Sequence, residues 1–350
     1  MKVAIIIPTM NRPDFLLRQL RFYELMNSPH PVYIQDSSNE GNAEKITSGI
    51  KQFKNFEITY QWVLPGRDYL YQLLPLIKEK NCTQIGDDDI IIPGTLSECG
   101  DFLDSHPDYG VCMGRQVNIR FRPEDFNKPY GIIERRTRPL GRSIEDEDMS
   151  ARLQNFWSKT FFIPFTVRRI ETERLIRDID KNFSLIGYLM EFTLLTLLIT
   201  SGKIKLLDKL GYIMHISDRR YNFDKKEVAT YLGPSPRMSE QWEKCEEELI
   251  KAICEKGVSE EESFKIVKLA AAHYLANQLQ LDTGYLPSKR SETAGMRLLK
   301  RIKHFISRSD FIRSFYYKFK PPIYVDRPES KYFEDFKIVK DFLEKNQISA

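Results

Sequence analysis

Residues 84–93 have the sequence Gln-Ile-Gly-Asp-Asp-Asp-Ile-Ile-Ile-Pro, in which three adjacent carboxylates interrupt a run that otherwise has the composition of a buried strand. Buried carboxylates are costly unless they are paired or bind a metal, and three neighbouring negative charges also repel one another. A divalent cation removes both costs, and Mg²⁺ or Mn²⁺ keeps positions open for substrate phosphates. The stretch therefore predicts a strand that ends in a metal and diphosphate site. A polar turn capping a helix near Pro93 is the alternative, and this stretch alone does not decide between them.

The composition is that of a globular protein, with 41% hydrophobic and 29% charged residues among 350. This length suits one large domain with an appendage, or two domains. The N-terminal apolar run is too short for a signal peptide, and the apolar stretch 183–200 contains Glu191, which favours a buried helix over a membrane span. Five cysteines without a Cys-x-x-Cys pair argue against disulfides or a zinc knuckle and favour a reducing compartment, so we expect a cytoplasmic protein.

Short apolar strands alternate with helical spacing in the first hundred residues, which predicts a mostly parallel α/β sheet flanked by helices. Ligands bind such sheets beyond the carboxyl ends of the strands. Polar residues follow each predicted strand, so four strand ends are expected to converge on one crevice. Neither a G-x-G-x-x-G fingerprint nor a P-loop is present, which disfavours a dinucleotide or P-loop site. The predicted strands are 2–8, 31–35, 56–63 and 82–86.

These features together resemble the family 2 glycosyltransferases, which have the nucleotide-sugar-binding GT-A fold. The resemblance rests on the run Ile-Ile-Ile-Pro-Thr-Met-Asn-Arg at 5–12, on Asp36 ending the second strand, on Arg67 opening a helix, and on Asp87 to Asp89 followed by Pro93. It covers roughly residues 1–220. Each motif is weak alone, but their order and spacing are fairly specific.

The resemblance implies roles for the residues at the strand ends. Thr9, Asn11 and Arg12 would hold the nucleotide, Asp36 would contact the base, and Arg67 would contact the nucleotide as in some members. The acidic motif would bind Mn²⁺ or Mg²⁺ on the diphosphate of the donor, most often a UDP-sugar in this family.

The acidic motif departs from the family pattern Asp-x-Asp, because Gly86 stands where the first aspartate is usual. Some members have adjacent aspartates instead, which matches Asp87 and Asp88. Asp88 is therefore the best-supported metal ligand. Whether Asp87 or Asp89 joins it stays open; the working assignment gives Asp89 to the metal and Asp87 to the nucleotide-sugar.

Glu191 is the predicted catalytic base. Family members carry a Glu-Asp motif at the head of a helix here, and this chain has only the glutamate. In an inverting transfer the base removes the proton of the acceptor hydroxyl. Apolar neighbours would raise the pKa of Glu191 by desolvation. A structural pairing with an arginine is the alternative.

His215 follows a short predicted strand, and in the family a histidine here can complete the metal shell. Without the resemblance a lone histidine is more often structural. Arg219 and Arg220 follow directly and are predicted to meet the diphosphate. Short strands are expected at 205–207 and 212–214.

Beyond residue 235 the resemblance ends, and the apolar spacing predicts a helical C-terminal region, so the chain divides into domains 1–235 and 236–350. Segment 289–320 holds ten Lys/Arg and two acids, a local charge of +8, with interleaved aromatic residues. Such a segment suits an anionic membrane surface. Packing on the catalytic domain is the main alternative, and nucleic acid or a partner protein is less favoured. Residues 259–282 are a candidate pairing surface for a homo-oligomer.

The sequence thus predicts a cytoplasmic, metal-dependent, inverting glycosyltransferase (hexosyl type) that acts on a glycan or lipid-linked acceptor in polysaccharide biosynthesis. If segment 289–320 binds lipid, the protein is peripheral at the inner membrane face. A nucleotidyltransferase is disfavoured, because the loop after strand one lacks glycine. Two further hypotheses stay open: a non-catalytic scaffold that uses segment 289–320, and a degenerate transferase that binds donor without turnover.

Overall fold

The computed structural model describes residues 1–63, 70–121, 132–137, 139–158, 163–182, 187–216, 236–283 and 325–348. Arg67, Arg219, Arg220 and segment 289–320 lie outside these ranges, so what the sequence predicts for them stays a prediction. Within these ranges, no helix has the length and apolar character that a membrane span needs.

Four parallel strands form the first half of the sheet in the order β3–β2–β1–β4. Their bounds are β1 (Ala4–Thr9), β2 (Val32–Asp36), β3 (Ile58–Trp62) and β4 (Asn81–Gln84). β1 is buried on both faces, since Ile5 and Ile7 belong to one apolar cluster and Ala4 and Ile6 to another. Burial on both faces explains why this strand shows no alternation of polar and apolar residues.

Helices α1 (Pro13–Leu25), α2 (Glu40–Gly49) and α3 (Leu70–Leu73) connect these strands. The fixed φ of Pro13 suits the first position of α1. Asn39 caps α2, because its side chain accepts from the Asn42 N–H at 3.0 Å. α3 is short because Pro75 supplies no N–H for a further α-helical hydrogen bond. A 3₁₀ turn at Leu74–Leu76 follows instead.

Strand directions are mixed in the second half of the sheet. Antiparallel β8 separates β4 from β6, β9 runs parallel to β6, and β5 pairs antiparallel with β9. β7 pairs with the outer part of β6. Of the nine strands in the described part of the chain, six (β1–β4, β6 and β9) therefore point the same way. The bounds are β5 (Ile90–Ile91), β6 (Tyr109–Phe121), β7 (Ile133–Arg136), β8 (Val167–Arg169) and β9 (Lys203–His215).

Helices cover both faces of this sheet and enclose two large apolar clusters. The first cluster lies among α1, α4, α10 and the sheet, and the second among α5–α9 and strands β6 and β9. The C-terminal helix packs against the first one, with the rings of Phe22 and Phe342 in edge contact at 5.2 Å. The bounds are α4 (Pro93–Ser105), α5 (Met149–Ser158), α6 (Ile170–Asn182), α7 (Gly187–Thr200), α8 (Pro236–Cys254), α9 (Glu260–Thr283) and α10 (Phe333–Lys345).

The predicted α/β architecture, a mostly parallel sheet flanked by helices, is confirmed. The prediction of two separate short strands at 205–207 and 212–214 was wrong, because β9 is one strand that pairs along β6. The register between β6 and β9 shifts near Gly114. The two strands approach closely there, since a Cβ on Gly114 would lie 2.7 Å from the Gly211 Cα. The division of the chain at residue 235 stays a prediction.

The contact between Phe342 and Phe22 predicts a large loss of stability when the Phe342 side chain is truncated. Phe342 is 6% exposed. Phe342→Ala leaves a cavity against Phe22, and we expect the free energy of unfolding to fall by about 3–5 kcal/mol. Ile338→Ala on the same helix is the control, since Ile338 is 41% exposed and should change the value by less than about 0.5 kcal/mol. Urea denaturation measures both; equal effects would contradict this packing.

Candidate active site

The carboxyl ends of β1 and β2 meet the loop that follows β4, as the strand-end argument expects. Thr9 lies opposite Asp36 in the parallel register, and its Oγ1 donates to Asp87 Oδ2 at 2.8 Å. The loop is a tight turn in which the Asp89 N–H donates to the Gly86 carbonyl at 3.3 Å. A Cβ at Gly86 would lie 3.0 Å from Asp89 Oδ2 and 3.2 Å from Asp88 Oδ1. A side chain at this position would therefore crowd the carboxylates of Asp88 and Asp89.

Arg12 neutralises two of the three aspartates. Its Nη1 lies 2.8 Å from Asp87 Oδ1 and its Nη2 lies 2.8 Å from Asp88 Oδ2. Burial raises the pKa of Asp87 to about 7, although Arg12 and Thr9 oppose this change. Burial also acts on Asp88, but hydrogen bonds and charges from His215 and Arg12 outweigh it and lower the pKa of Asp88 to about 2. Two adjacent carboxylates therefore have different proton affinities, and Asp88 carries the more firmly held negative charge.

Asp89 joins the loop to β9. Its Oδ1 accepts from the His215 N–H at 2.7 Å, and its Oδ2 accepts from the Tyr212 hydroxyl. The Gln19 side chain holds the loop from the other side by donating to the carbonyls of Gly86 and Asp89 at 2.9 and 2.8 Å. Both carboxylate oxygens of Asp89 accept hydrogen bonds from β9, and Asp88 is the more exposed of the two aspartates. Whether Asp87 or Asp89 joins Asp88 at a metal stays a prediction.

Asp88 and His215 face each other, with His215 Nδ1 at 3.4 Å from Asp88 Oδ2. The His215 ring packs against Phe121 at 4.5 Å between centroids. Two ligands about 2.1 Å from one ion, at angles from right to tetrahedral, lie about 3.0–3.4 Å apart. The pair therefore fits two positions on a divalent ion. In the described part of the chain no group of three His, Cys, Asp or Glu residues is arranged to hold a metal.

Asp36 belongs to a second small cluster of polar and aromatic residues at the strand ends. Its two oxygens accept from the Tyr60 hydroxyl at 2.7 Å and from the Ser38 N–H at 2.8 Å, and the residue is fully buried. Trp62 lies beside it, 40% exposed, with its indole N–H donating to the Ser38 carbonyl at 2.9 Å. Asn11 adopts a left-handed φ of 57° and accepts from the Asn39 N–H at 2.9 Å. This cluster offers an aromatic surface next to polar groups at the strand ends.

Glu191 is positioned by a different part of the fold. It lies in α7 between the buried residues Leu189 and Phe192, and its Oε2 accepts from the Tyr274 hydroxyl at 3.1 Å. Burial raises the pKa of Glu191, and the Tyr274 hydrogen bond opposes that rise. The direction agrees with the desolvation argument made from the sequence. One partner of Glu191 in the structure is thus Tyr274 of α9.

Sequence reasoning missed the residues that hold the site residues in place, because each of them resembles an ordinary core or surface position. Gln19 is a polar residue at a helical spacing, and tyrosines are common in cores, so neither carries a local signal. Arg67, Arg219 and Arg220 lie outside the described residues, so the geometry does not bear on them. The missed residues are Gln19, Ser38, Tyr60, Trp62, Tyr212 and Tyr274.

No family model and no curated protein matches the chain. Among solved structures, TarS 1–349 from S. aureus matches with a TM-score of 0.51, and its complex with UDP-GlcNAc with 0.53. Both are 14% identical, and each match covers 99% of this chain and 90% of TarS. The chain has the GT-A fold of glycosyltransferases. At this identity the TarS match establishes the fold, and the GT-A fold predicted from residues 1–220 is confirmed.

A more distant match is the mannosyltransferase PcManGT from Pyrobaculum calidifontis, in complex with GDP-Man and Mn²⁺. It gives a TM-score of 0.41 at 11% identity, over 98% of this chain and 85% of that one. The conclusion about the GT-A fold rests on the TarS structures.

The link between the acidic loop and β9 predicts the effect of Tyr212→Phe. The change removes the hydroxyl that donates to buried Asp89, and we expect the free energy of unfolding to fall by about 1–3 kcal/mol. Tyr109→Phe is the matched control, because the Tyr109 hydroxyl donates to Glu145, an exposed carboxylate, at 2.7 Å. Chemical denaturation at neutral pH compares the two variants. A loss for Tyr212→Phe no greater than for Tyr109→Phe would contradict the role given to Asp89.

Proposed function

We propose that this protein is a metal-dependent, inverting glycosyltransferase that moves a hexose from a nucleotide-sugar, a UDP-sugar by preference, to a hydroxyl of a glycan or lipid-linked acceptor. The observation that carries the proposal is the contact network of Thr9, Arg12, Asp87, Asp88 and His215. It lies at the carboxyl ends of parallel strands in a GT-A fold, where such sheets bind ligands. The rival scaffold function gives no reason for burying so many charged groups at that edge.

The donor nucleotide is assigned to the crevice lined by β1, β2 and the acidic loop. Thr9, Asn11 and Arg12 would contact the nucleotide. Asp87, which binds Thr9 and Arg12, would orient the nucleotide-sugar. Asp36 and its cluster would receive the base, where Trp62 offers an exposed ring for stacking. The UDP-GlcNAc complex of TarS supports uracil as the first base to test.

Asp88 and His215 are assigned as the two protein ligands of Mn²⁺ or Mg²⁺. When bound, such an ion supplies positive charge to the diphosphate of the leaving nucleotide. Asp88 suits this role because Arg12 and His215 keep its carboxylate ionised. His215 suits it because its Nδ1 faces Asp88 Oδ2. Asp89 is assigned to positioning, since it fixes the loop against β9 and so sets the place of His215.

Glu191 is assigned as the general base. Its carboxylate would take the proton of the acceptor hydroxyl while that oxygen attacks the anomeric carbon from the face opposite the nucleotide, which inverts the configuration. A carboxylate with a raised pKa is better matched to this task than an exposed one. The membrane role of segment 289–320 would bring a lipid-linked acceptor to the site, and it stays a prediction.

The donor assignment predicts metal-dependent thermal stabilisation by one nucleotide. Wild type is heated with UDP, GDP, CMP or dTDP, each with and without Mn²⁺. At about 100 times Kd the expected stabilisation is about 2.7 kcal/mol, a shift of several degrees. Asp88→Asn should lose the metal-dependent part of the shift, whereas Asp101→Asn, an exposed aspartate paired with the N-terminus, should keep it.

Two outcomes would contradict different parts of the proposal. No shift with any nucleotide would overturn the donor site. A nucleotide shift that Mn²⁺ does not increase, or that Asp88→Asn retains in full, would overturn the metal assignment and leave nucleotide binding in place.

A further inference from the structure

The helical C-terminal region contributes a side chain that hydrogen-bonds to the proposed base, Glu191. Helix α9 packs against α7 and α8, and the hydroxyl of Tyr274 on α9 donates to Glu191 Oε2 on α7 at 3.1 Å. The two residues are 83 positions apart in the chain. Tyr274 lies beyond the part of the sequence that resembles a known family, so no motif points to it.

Packing fixes the place of the Tyr274 ring. The residue is 2% exposed, and its ring stands edge-on to Trp157 of α5 at 6.1 Å and tilted against Phe192 of α7 at 5.6 Å. Trp242 of α8 in turn stacks on Phe192 at 4.9 Å. The ring contacts from α5 and α7 therefore hold Tyr274, and with it the hydroxyl, in place beside Glu191.

The bond restrains the Glu191 carboxylate in two ways. A half-buried glutamate that bonds to a fixed donor loses side-chain rotamers that are otherwise open to it. A hydroxyl that donates to the carboxylate also favours the ionised form, in opposition to the desolvation that disfavours it. Three titratable groups on the packed helices have contacts of their own. His273 stacks on Trp157, Cys245 Sγ lies 3.2 Å from Thr193 Oγ1, and buried Glu246 pairs with Lys268 at 2.6 Å.

We propose that Tyr274 is a positioning residue for the transfer reaction, holding the Glu191 carboxylate in place and keeping it able to accept a proton. The inference rests on the proposed function, in which Glu191 is the base. It gives the helical C-terminal region a part in the chemistry, in addition to packing.

A direct test is the titration of Glu191 by NMR in protein labelled with ¹³C at the glutamate carboxyl, with Glu191→Gln to assign the signal. Tyr274→Phe removes the hydroxyl and keeps the ring, so the Glu191 pKa should rise by about one unit. Tyr33→Phe is the matched control: Tyr33 is 3% exposed and donates to Glu79 at 2.8 Å, at the other end of the sheet. It should leave the Glu191 titration unchanged. An unchanged titration in Tyr274→Phe would overturn the inference, whatever the fate of the proposed function.

The kinetic test uses the pH profile of sugar transfer, with slow transfer to water as the reaction when no acceptor is known. A base with a higher pKa keeps its proton to higher pH, so Tyr274→Phe should move the acid limb of kcat to higher pH by about one unit. A residue that only packs the helices would lower kcat equally at every pH, and that result would overturn the inference.

A separate variant tells failure of the inference from failure of the proposed base. Glu191→Gln should lower kcat by about 10²–10⁴-fold and keep the thermal shift with nucleotide and Mn²⁺. Full activity in Glu191→Gln would overturn both the base assignment and the inference. Loss of activity in Glu191→Gln with an unmoved acid limb in Tyr274→Phe would overturn only the inference.

Discussion

The constraint on which the rest of this site depends is a row of three adjacent aspartates, of which Asp87 and Asp89 are buried and Asp88 is partly buried. Each buried carboxylate costs several kcal/mol unless it is paired, and like charges at neighbouring positions add to that cost. The fold resolves the problem by giving each aspartate a separate set of partners. Arg12 and Thr9 hold Asp87, Arg12 and His215 hold Asp88, and β9 holds Asp89.

The partners come from elements that are far apart in the chain, so the acidic loop ties the two halves of the sheet together. Thr9 ends β1 and Arg12 follows it in the parallel half, whereas Tyr212 and His215 lie in β9 of the mixed half. Because His215 donates its backbone N–H to Asp89 and presents its ring to Asp88, one strand end both anchors the loop and completes the proposed metal pair. The same loop cannot carry a larger residue at Gly86 without pushing these carboxylates apart.

The sequence predicted the part of the site that topology decides. Polar residues at the ends of β1, β2 and β4 had to share one edge of a parallel sheet, and Thr9, Asp36 and Asp87 do so. The orientation of Asp89 could not be predicted, because it depends on the Tyr212 hydroxyl 123 residues away. The Tyr274 contact to Glu191 also escaped prediction, since the register between two helices depends on packing that leaves no local pattern. Strand β9 appeared as two strands for a related reason: the exposed Asp208-Lys209 pair interrupts the apolar run, yet pairing with β6 continues past it.

The central claim is that Asp88 and His215 together bind a divalent ion on the diphosphate of a nucleotide. Crystals grown with UDP and Mn²⁺ test it most directly, by anomalous difference density at the manganese absorption edge. We expect one manganese peak in contact with an Asp88 carboxylate oxygen, His215 Nδ1 and the diphosphate. Bound nucleotide with no manganese at that position, or manganese held by other side chains, would contradict the claim.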